Sequence, residues 1–335
     1  MLKPVMIVGE AFGAHEERKG QPFVGPSGGL LNAFLSANGI SRSDCYITNV
    51  FNFRPIANNI KSLCGSKDRS IPGMPMLMTG KYVDRKYKPE LDRLYDEIRT
   101  INPNVIVALG GTATWATLRD HRIKKLRGAP AVGVTGHKVL PTYHPAAVLR
   151  EYKLRPIVFA DFKKAAREAA FPDVRRPNRT LLLHPTLDDL REFERQHIMP
   201  AEVLSVDIET WSRQITCIGF ATSPNTALVI PFVWHGTKDG NYWSNIEQEL
   251  EAWAYVRRWL NLGKKIIGQN FLYDARYLWD RYGIPIRTIA GDTMLIHHAQ
   301  QPEMEKSLGF LGSIHTNEPS WKFMRSDIKT LKKED

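Results

Sequence analysis

"PVMIVGEAFGAHEERKGQPFVGPSGGLLNAFLSANG", residues 4–39, decides the fold. Its apolar start, "PVMIVG", reads as a buried strand, and "GGLLNAFLSANG" repeats its apolar residues at helical spacing up to a stop at Gly39. A strand that passes through a loop into a helix opens a parallel α/β sheet. The loop between them holds three glutamates, with Phe23 alone between Pro22 and Val24, and six glycines fall between Gly9 and Gly29. Gly and Pro at this density fix an unusual backbone path. Glu10 stands where strand gives way to loop, the usual place for chemistry in an α/β domain.

Outward from this stretch the alternation continues. "DCYITNVF" (44–51), "NVIVALGG" (104–111) and "KVLPTYHP" (138–145) read as further strands, and "PELDRLYDEIRTI" (89–101) reads as a helix with Pro89 in its first turn. Residues 54–88 read as loop. "FPDVRRPNRT", 171–180, is polar, basic and rich in proline, which predicts a linker between a domain at 1–170 and a second at 181–335. The second half offers three consecutive strands, "VLSVDIET", "ITCIGFATS" and "TALVIPFV", hence an antiparallel meander. A helix over 244–261, a strand "KKIIGQN" and a helix "FLYDARYLWDRYG" follow. The expected class is α/β in both halves.

The net charge of +11 favours a polyanionic partner. Three scattered cysteines, Cys45, Cys64 and Cys217, exclude a disulfide framework and a four-thiolate metal site. No stretch reaches the roughly 20 apolar residues that span a membrane. The start lacks the pattern of a secretory signal, so a cytoplasmic protein is expected, in a host cell if the source is viral.

"GEAFGAHEERKGQPFVGPSGGLL", "YITNVFNFRP", "NVIVALGGTAT", "LRG" and "LPTYHPAAVLR", in this order across residues 4–169, resemble the motif set of family 4 uracil-DNA glycosylases. The resemblance implies a three-layer α/β/α domain that flips uracil out of DNA and hydrolyses its N-glycosidic bond, the opening step of base excision repair. It implies four roles, and each has a chemical rationale. Phe23 offers an aromatic face to the extruded base, with Ala11 beside it. Asn49 offers an amide donor and acceptor side by side for the base edge. His144 offers a donor where charge develops on the departing uracil. Glu10 offers a carboxylate to orient water, with Glu16 and Glu17 less suited. Plain structural readings stand beside these: Phe23 as core, Asn49 as a turn former, His144 as a satisfied polar residue and Glu10 as a cap.

Two departures from the family pattern matter. Phe12 stands where the family has Pro. The family's four cysteines bind an iron–sulfur cluster; two precede the first strand, where this chain only begins, and the other two positions hold Phe53 and Tyr87. No iron–sulfur cluster is therefore expected, and the two aromatic residues are expected to fill part of its volume. The basic runs "HRIKKLRG" and "AAVLREYKLR" predict a DNA path through Lys124, Lys125, Arg127 and Arg150, with Val148 or Leu149 as an apolar wedge. A solvated charged face is the plain alternative.

In the second half, Asp207 and Glu209 lie two apart on a strand and so share a face, while Asn270 and Asp274 open the last helix. "DIET" and "GQNFLYDARYL" resemble the first two motifs of DEDD-type 3′–5′ exonuclease domains of family A DNA polymerases, over residues 200–325. The resemblance implies an RNase H-like mixed sheet and Mg²⁺ or Mn²⁺ held by Asp207, Glu209 and Asp274. His297 and His298 read as structural. The third motif does not occur, so the domain reads as partial, its exonuclease activity as weak or absent, and the tail "SDIKTLKKED" as poorly ordered. Three functions follow: uracil excision within, or beside, a viral DNA polymerase; a uracil sensor that positions a polymerase; or an exonuclease with a DNA clamp. DNA is the partner in all three, with a polymerase chain or a following polymerase segment beside it, and no membrane in any.

Overall fold

The computed structural model describes residues 4–318. The chain divides into two compact units. One takes Met1–Arg175 and resumes from Gly309; the other is Arg176–Leu308. The division falls inside the stretch 171–180, but the second unit closes at Leu308 where the sequence suggested 335. The tail 326–335 lies outside the described residues.

The first unit contains β1 (Val5–Ala11), α1 (Ala14–Lys19), α2 (Pro26–Ala37), β2 (Cys45–Phe51), β3 (Cys64–Gly65), β4 (Tyr82–Val83), α3 (Lys88–Ile101), β5 (Val105–Leu109), α4 (Gly110–Leu118), α5 (Ile123–Leu126), β6 (Ala131–Val132), β7 (Lys138–Thr142), α6 (Pro145–Arg150) and α7 (Arg155–Glu168). The main sheet runs β2-β1-β5-β7-β6. Its first four strands are parallel, as the apolar runs predict, and the short β6 pairs antiparallel at the edge. The pleat sends alternate residues of β1 to opposite layers. Met6 and Val8 pack with Leu91, Leu94 and Ile98 of α3 and Trp115 of α4. Val5 and Ile7 pack with Leu31 and Phe34 of α2 and Phe162 of α7. All of these are buried, which makes a three-layer α/β/α core. The chain leaves β1 for β2 on one side and returns to β5 on the other. The carboxyl ends of β1 and β5 therefore flank a topological switch point, where such sheets bind ligands. The loop-rich stretch 54–88 carries only short turns and the β3/β4 ribbon.

The second unit contains β8 (Thr180–Leu182), α8 (Leu187–Phe193), β9 (Val203–Trp211), β10 (Gln214–Ser223), β11 (Thr226–Pro231), α9 (Ile246–Leu260), β12 (Lys265–Gly268), α10 (Phe271–Tyr282), β13 (Ile289–Asp292) and α11 (Thr293–Gln300). Its sheet runs β13-β12-β9-β10-β11-β8. β9, β10 and β11 form the antiparallel meander, and β12 and β13 add in parallel beside β9. This is the strand order of an RNase H-like sheet, extended by β8. Leu204, Val206 and Ile208 of β9 enter a core with Trp259 of α9 and Phe271 and Leu278 of α10. Asp207 and Glu209 lie on the opposite, exposed face, as their spacing requires. A further helix, α12 (Leu308–His315), begins at the boundary between the units.

Candidate active site

The carboxyl ends of β1, β2, β5 and β7 surround a cavity of about 400 Å³. Glu10, Ala11, Phe23, Asn49 and His144 all line it, so the residues singled out in three separate motifs meet at one place. Glu10 ends β1. Thr112, in the first turn of α4, donates its hydroxyl to Glu10 Oε2, which fixes one carboxylate oxygen.

Phe23 is buried and sits at φ 54°, a left-handed conformation unusual for a residue with a side chain. The surrounding loop holds it there. Glu16 accepts the backbone N–H groups of Gly13 (3.2 Å), Val24 (3.1 Å) and Gly25 (2.9 Å), bracketing Phe23. Burial pushes the Glu16 carboxyl up, but these donors prevail and hold it below its ordinary value. Gly28 backs directly onto the Phe23 carbonyl; a Cβ there would lie 1.9 Å from that oxygen. Sequence reading gave Glu16 a lesser part, and its part in the structure is to shape the loop.

Asn49 lies near the carboxyl end of β2 and is buried. Arg93 of α3 donates to the carbonyls of Asn49 (2.8 Å) and Val50 (3.0 Å), and Asn52 Oδ1 accepts the Asn49 N–H at 3.3 Å. These bonds hold the backbone and leave the side-chain amide to face the cavity. Gly9 lies between Asn49 and Phe23: a Cβ there would stand 2.2 Å from Asn49 Oδ1 and 2.6 Å from Phe23 Cζ. Glycine at position 9 is therefore required by space. Sequence reading missed Thr112 and Arg93, whose only signals are a hydroxyl after "GG" and a basic residue within a helix.

His144 is the N-cap of α6, and its Nδ1 accepts the Ala146 N–H at 3.1 Å. An acceptor nitrogen carries no proton, so the ring is the neutral tautomer with its proton on Nε2. Burial first, then the charge of Arg150, depress its pKa to about 4, against a smaller opposing pull from Glu16. The ring lies against Phe23, with centroids 5.5 Å apart and planes inclined by 27°.

The basic residues divide. Lys124, Lys125 and Arg150 are exposed near the cavity, and Arg150 lines it. Leu149 is 55% exposed while Val148 is buried, which leaves Leu149 as the wedge candidate. Arg127 corrects the sequence reading. It is buried and forms a bidentate pair with Asp161, at 2.7 and 3.1 Å, so it does not present its charge to DNA.

Phe53 and Tyr87, at two of the family's cysteine positions, stack on each other at 5.7 Å, and each meets Phe51 edge-on. Cys45 Sγ donates to Ser41 O, Cys64 Sγ to Ile60 O, and Cys217 belongs to the other unit. These residues do not fit a four-thiolate cluster. Phe12 is joined to this place, because its N–H donates to Phe53 O at 3.2 Å, a bond that proline cannot make.

In the second unit, Asp274 is buried and accepts the Ile208 N–H at 2.9 Å, beyond the last residue of β9 paired to β12. Desolvation, then Asp207 and Asp292, raise its pKa to about 6 against that bond. Asp207 is also raised, by desolvation and then by Glu209. The carboxylates thus sense one another. Among the described residues, however, no group of three or more His, Cys, Asp or Glu side chains is arranged to hold a metal. Of the three carboxylates at which a metal was expected, Asp207, Glu209 and Asp274, the last has one oxygen committed to backbone. Asn270 caps α10 at φ 54°, and Asp292, which sequence reading missed, accepts the N–H groups of Asn270, Phe271 and Met294. His297 is buried on α11. Among the described residues no helix is long and apolar enough to cross a membrane.

A family model described as "Uracil DNA glycosylase superfamily" matches residues 2–175, which include every residue of this cavity. The chain belongs to the uracil-DNA glycosylase superfamily. Within it, the chain is 36% identical over 165 residues to a type-4 uracil-DNA glycosylase of Thermotoga maritima, covering 48% of this chain and 75% of that one. It is 36% identical over 168 residues to the type-4 enzyme of Archaeoglobus fulgidus, covering 48% and 74%, and 32% identical over 169 residues to that of Saccharolobus solfataricus, covering 48% and 68%. Among solved structures, an EXD2 exonuclease domain soaked in Mn and GMP aligns at 15% identity and a TM-score of 0.27, covering 42% of this chain and 70% of that one.

Proposed function

We propose that the first unit hydrolyses the N-glycosidic bond of deoxyuridine in DNA. The observation that carries this reading is the meeting of Glu10, Phe23, Asn49 and His144 around one cavity in a chain of this superfamily. Uracil swung out of the helix lies on Phe23, and Asn49 reads its edge with donor and acceptor together. As the bond to C1′ lengthens, electrons move onto the base. The Nε2–H of neutral His144 donates to the oxygen where that charge collects, and a neutral ring reaches this state without first losing a proton to solvent. Glu10, with one oxygen taken by Thr112, has the other to orient water toward C1′. Water supplies the hydroxyl of the abasic sugar and gives its other proton to Glu10, and uracil leaves with the bonding pair as an anion that is protonated from solvent. No step uses a metal or a cluster.

The test is abasic-site formation in uracil-containing single- and double-stranded DNA. Asn49→Ala and His144→Ala should each remove about 2.7–4 kcal/mol of transition-state stabilisation. Release untouched by both substitutions would reject the assignment. A second reading, a sensor that binds uracil without excising it, is favoured by the joint departure at Phe12 and Phe53. It predicts tighter binding of uracil-DNA than thymine-DNA with no abasic sites. We read the second unit as an exonuclease-like partner of a DNA polymerase, supported by its RNase H-like strand order and the shared face of Asp207 and Glu209.

A further inference from the structure

The first unit buries five charged side chains side by side. Arg127, Lys138, Asp161, Lys164 and Glu168 are each at most 5% exposed. Buried charges are tolerated only when paired and fully hydrogen-bonded. Much of that satisfaction comes from the segment after Gly309. Lys164 Nζ donates to Gly128 O (2.7 Å), to Ser313 O (2.7 Å) and to Thr316 O. Arg127 Nη1 donates to Ser313 Oγ at 2.6 Å, and Asn317 Nδ2 to Glu168 Oε1 at 2.9 Å, opposite the Lys138–Glu168 pair. The exchange is reciprocal, because the last carbonyls of a helix have no partner within it and Lys164 supplies one to α12. The same network reaches the cavity. Asp161 Oδ2 accepts the Thr142 hydroxyl at 2.7 Å, and the Gly128 N–H donates to Pro141 O at 2.9 Å. Pro141 and Thr142 end β7, and His144 follows two residues later.

We propose that the segment from Gly309 to Asn317 is a positioning element for His144, acting through Lys164, Arg127 and Asp161 on the end of β7. Uracil release by the first unit then depends on residues that follow the second unit in the chain. This rests on the functional reading above. Neither Lys164 nor the segment lines the cavity, so both act by holding the strand end. The experiment uses the full chain with two variants, Lys164→Met and Leu311→Asp, the latter placing a charge at a buried position of α12. Each variant that unfolds cooperatively should show kcat reduced roughly ten- to a hundredfold with KM little changed, the scale expected when a catalytic group is displaced by about an ångström. The His144 ring should titrate closer to its ordinary range, and amide exchange over 138–144 should quicken. Lys164→Arg, which keeps the charge, should recover part of kcat. Folded variants with wild-type kcat, His144 titration and exchange would overturn the proposal. If Lys164→Met fails to fold, Leu311→Asp decides. If the wild type releases no uracil, the functional reading fails, while the His144 titration and exchange still judge the positioning.

Discussion

Lowering the pH perturbs His144 in a way that can be worked from the structure. The ordinary imidazole value is 6.5 and burial beside Arg150 brings it to about 4. Disfavouring the charged ring by that difference corresponds to about 3 kcal/mol. His144 keeps partial exposure to the cavity, and water there makes this an upper figure. The folded value lies below the unfolded one, so the unfolded chain takes up the proton first. The stability held by neutral His144 is complete above pH 6.5 and is lost as pH falls from 6.5 through 4. Function follows the same window. Nε2–H remains a neutral donor, and Nδ1 keeps its bond from Ala146, until the pH approaches 4. Single-turnover uracil release between pH 4.5 and 8, with ring titration by NMR, reads this directly. The rate should show no step near 6.5 that belongs to His144. A limb centred at 6.5 in the wild type that disappears in His144→Gln would refute the reasoning, because it would mean a solvated imidazole.

Gly9→Ala should leave the sheet folded yet reduce uracil release as severely as Asn49→Ala, since its Cβ would displace Asn49 Oδ1 or the Phe23 ring; a variant with wild-type kcat would show that the cavity is looser than described. Arg127→Ala should destabilise the first unit by about 3–5 kcal/mol in urea titration by leaving Asp161 buried without its partner, and should not act as the loss of a DNA contact. Lys124→Ala should leave stability unchanged and lower the salt dependence of DNA binding by about one phosphate contact; an Arg127 variant that shifts the salt slope without changing stability would restore the original surface reading. Phe12→Pro removes the donor to Phe53 O, and should lower the thermal midpoint measurably if that bond ties the loop after Glu10 to the aromatic cluster.

The parallel sheet was legible because "MIVG", "VIVAL" and "KVLPT" are runs that only a strand covered on both faces explains. The cavity was legible because Glu10, Asn49 and His144 sit near strand ends and Phe23 in the loop after the first strand, all inside long motifs. The meander of the second unit and the shared face of Asp207 and Glu209 follow from period-two alternation. What escaped reading has physical causes. Arg127 belongs to a basic run that looks solvated, and its partner Asp161 lies 34 residues onward, a contact that only the tertiary fold makes. The return of residues 309–317 is equally invisible, since Lys164 meets it at the backbone carbonyls of Ser313 and Thr316, and Ser313 and Asn317 are small polar residues with no distinguishing spacing. Asp274 reads as a ligand from its motif, and its bond from the Ile208 N–H within β9 is a contact that only the tertiary fold makes. Arg93 and Thr112 act by holding Asn49 and Glu10, and positioning residues of this kind share no spacing with the groups they hold.

The central claim is that this cavity excises uracil by its own side chains. The direct measurement is free uracil, counted by mass spectrometry, released from a single-stranded oligonucleotide with one deoxyuridine by the purified full chain in excess chelator. Several uracils per chain, with an abasic site for each and no change on removing divalent metal, is the predicted result. No free uracil above the no-protein control, from a chain that still binds the oligonucleotide, would contradict it.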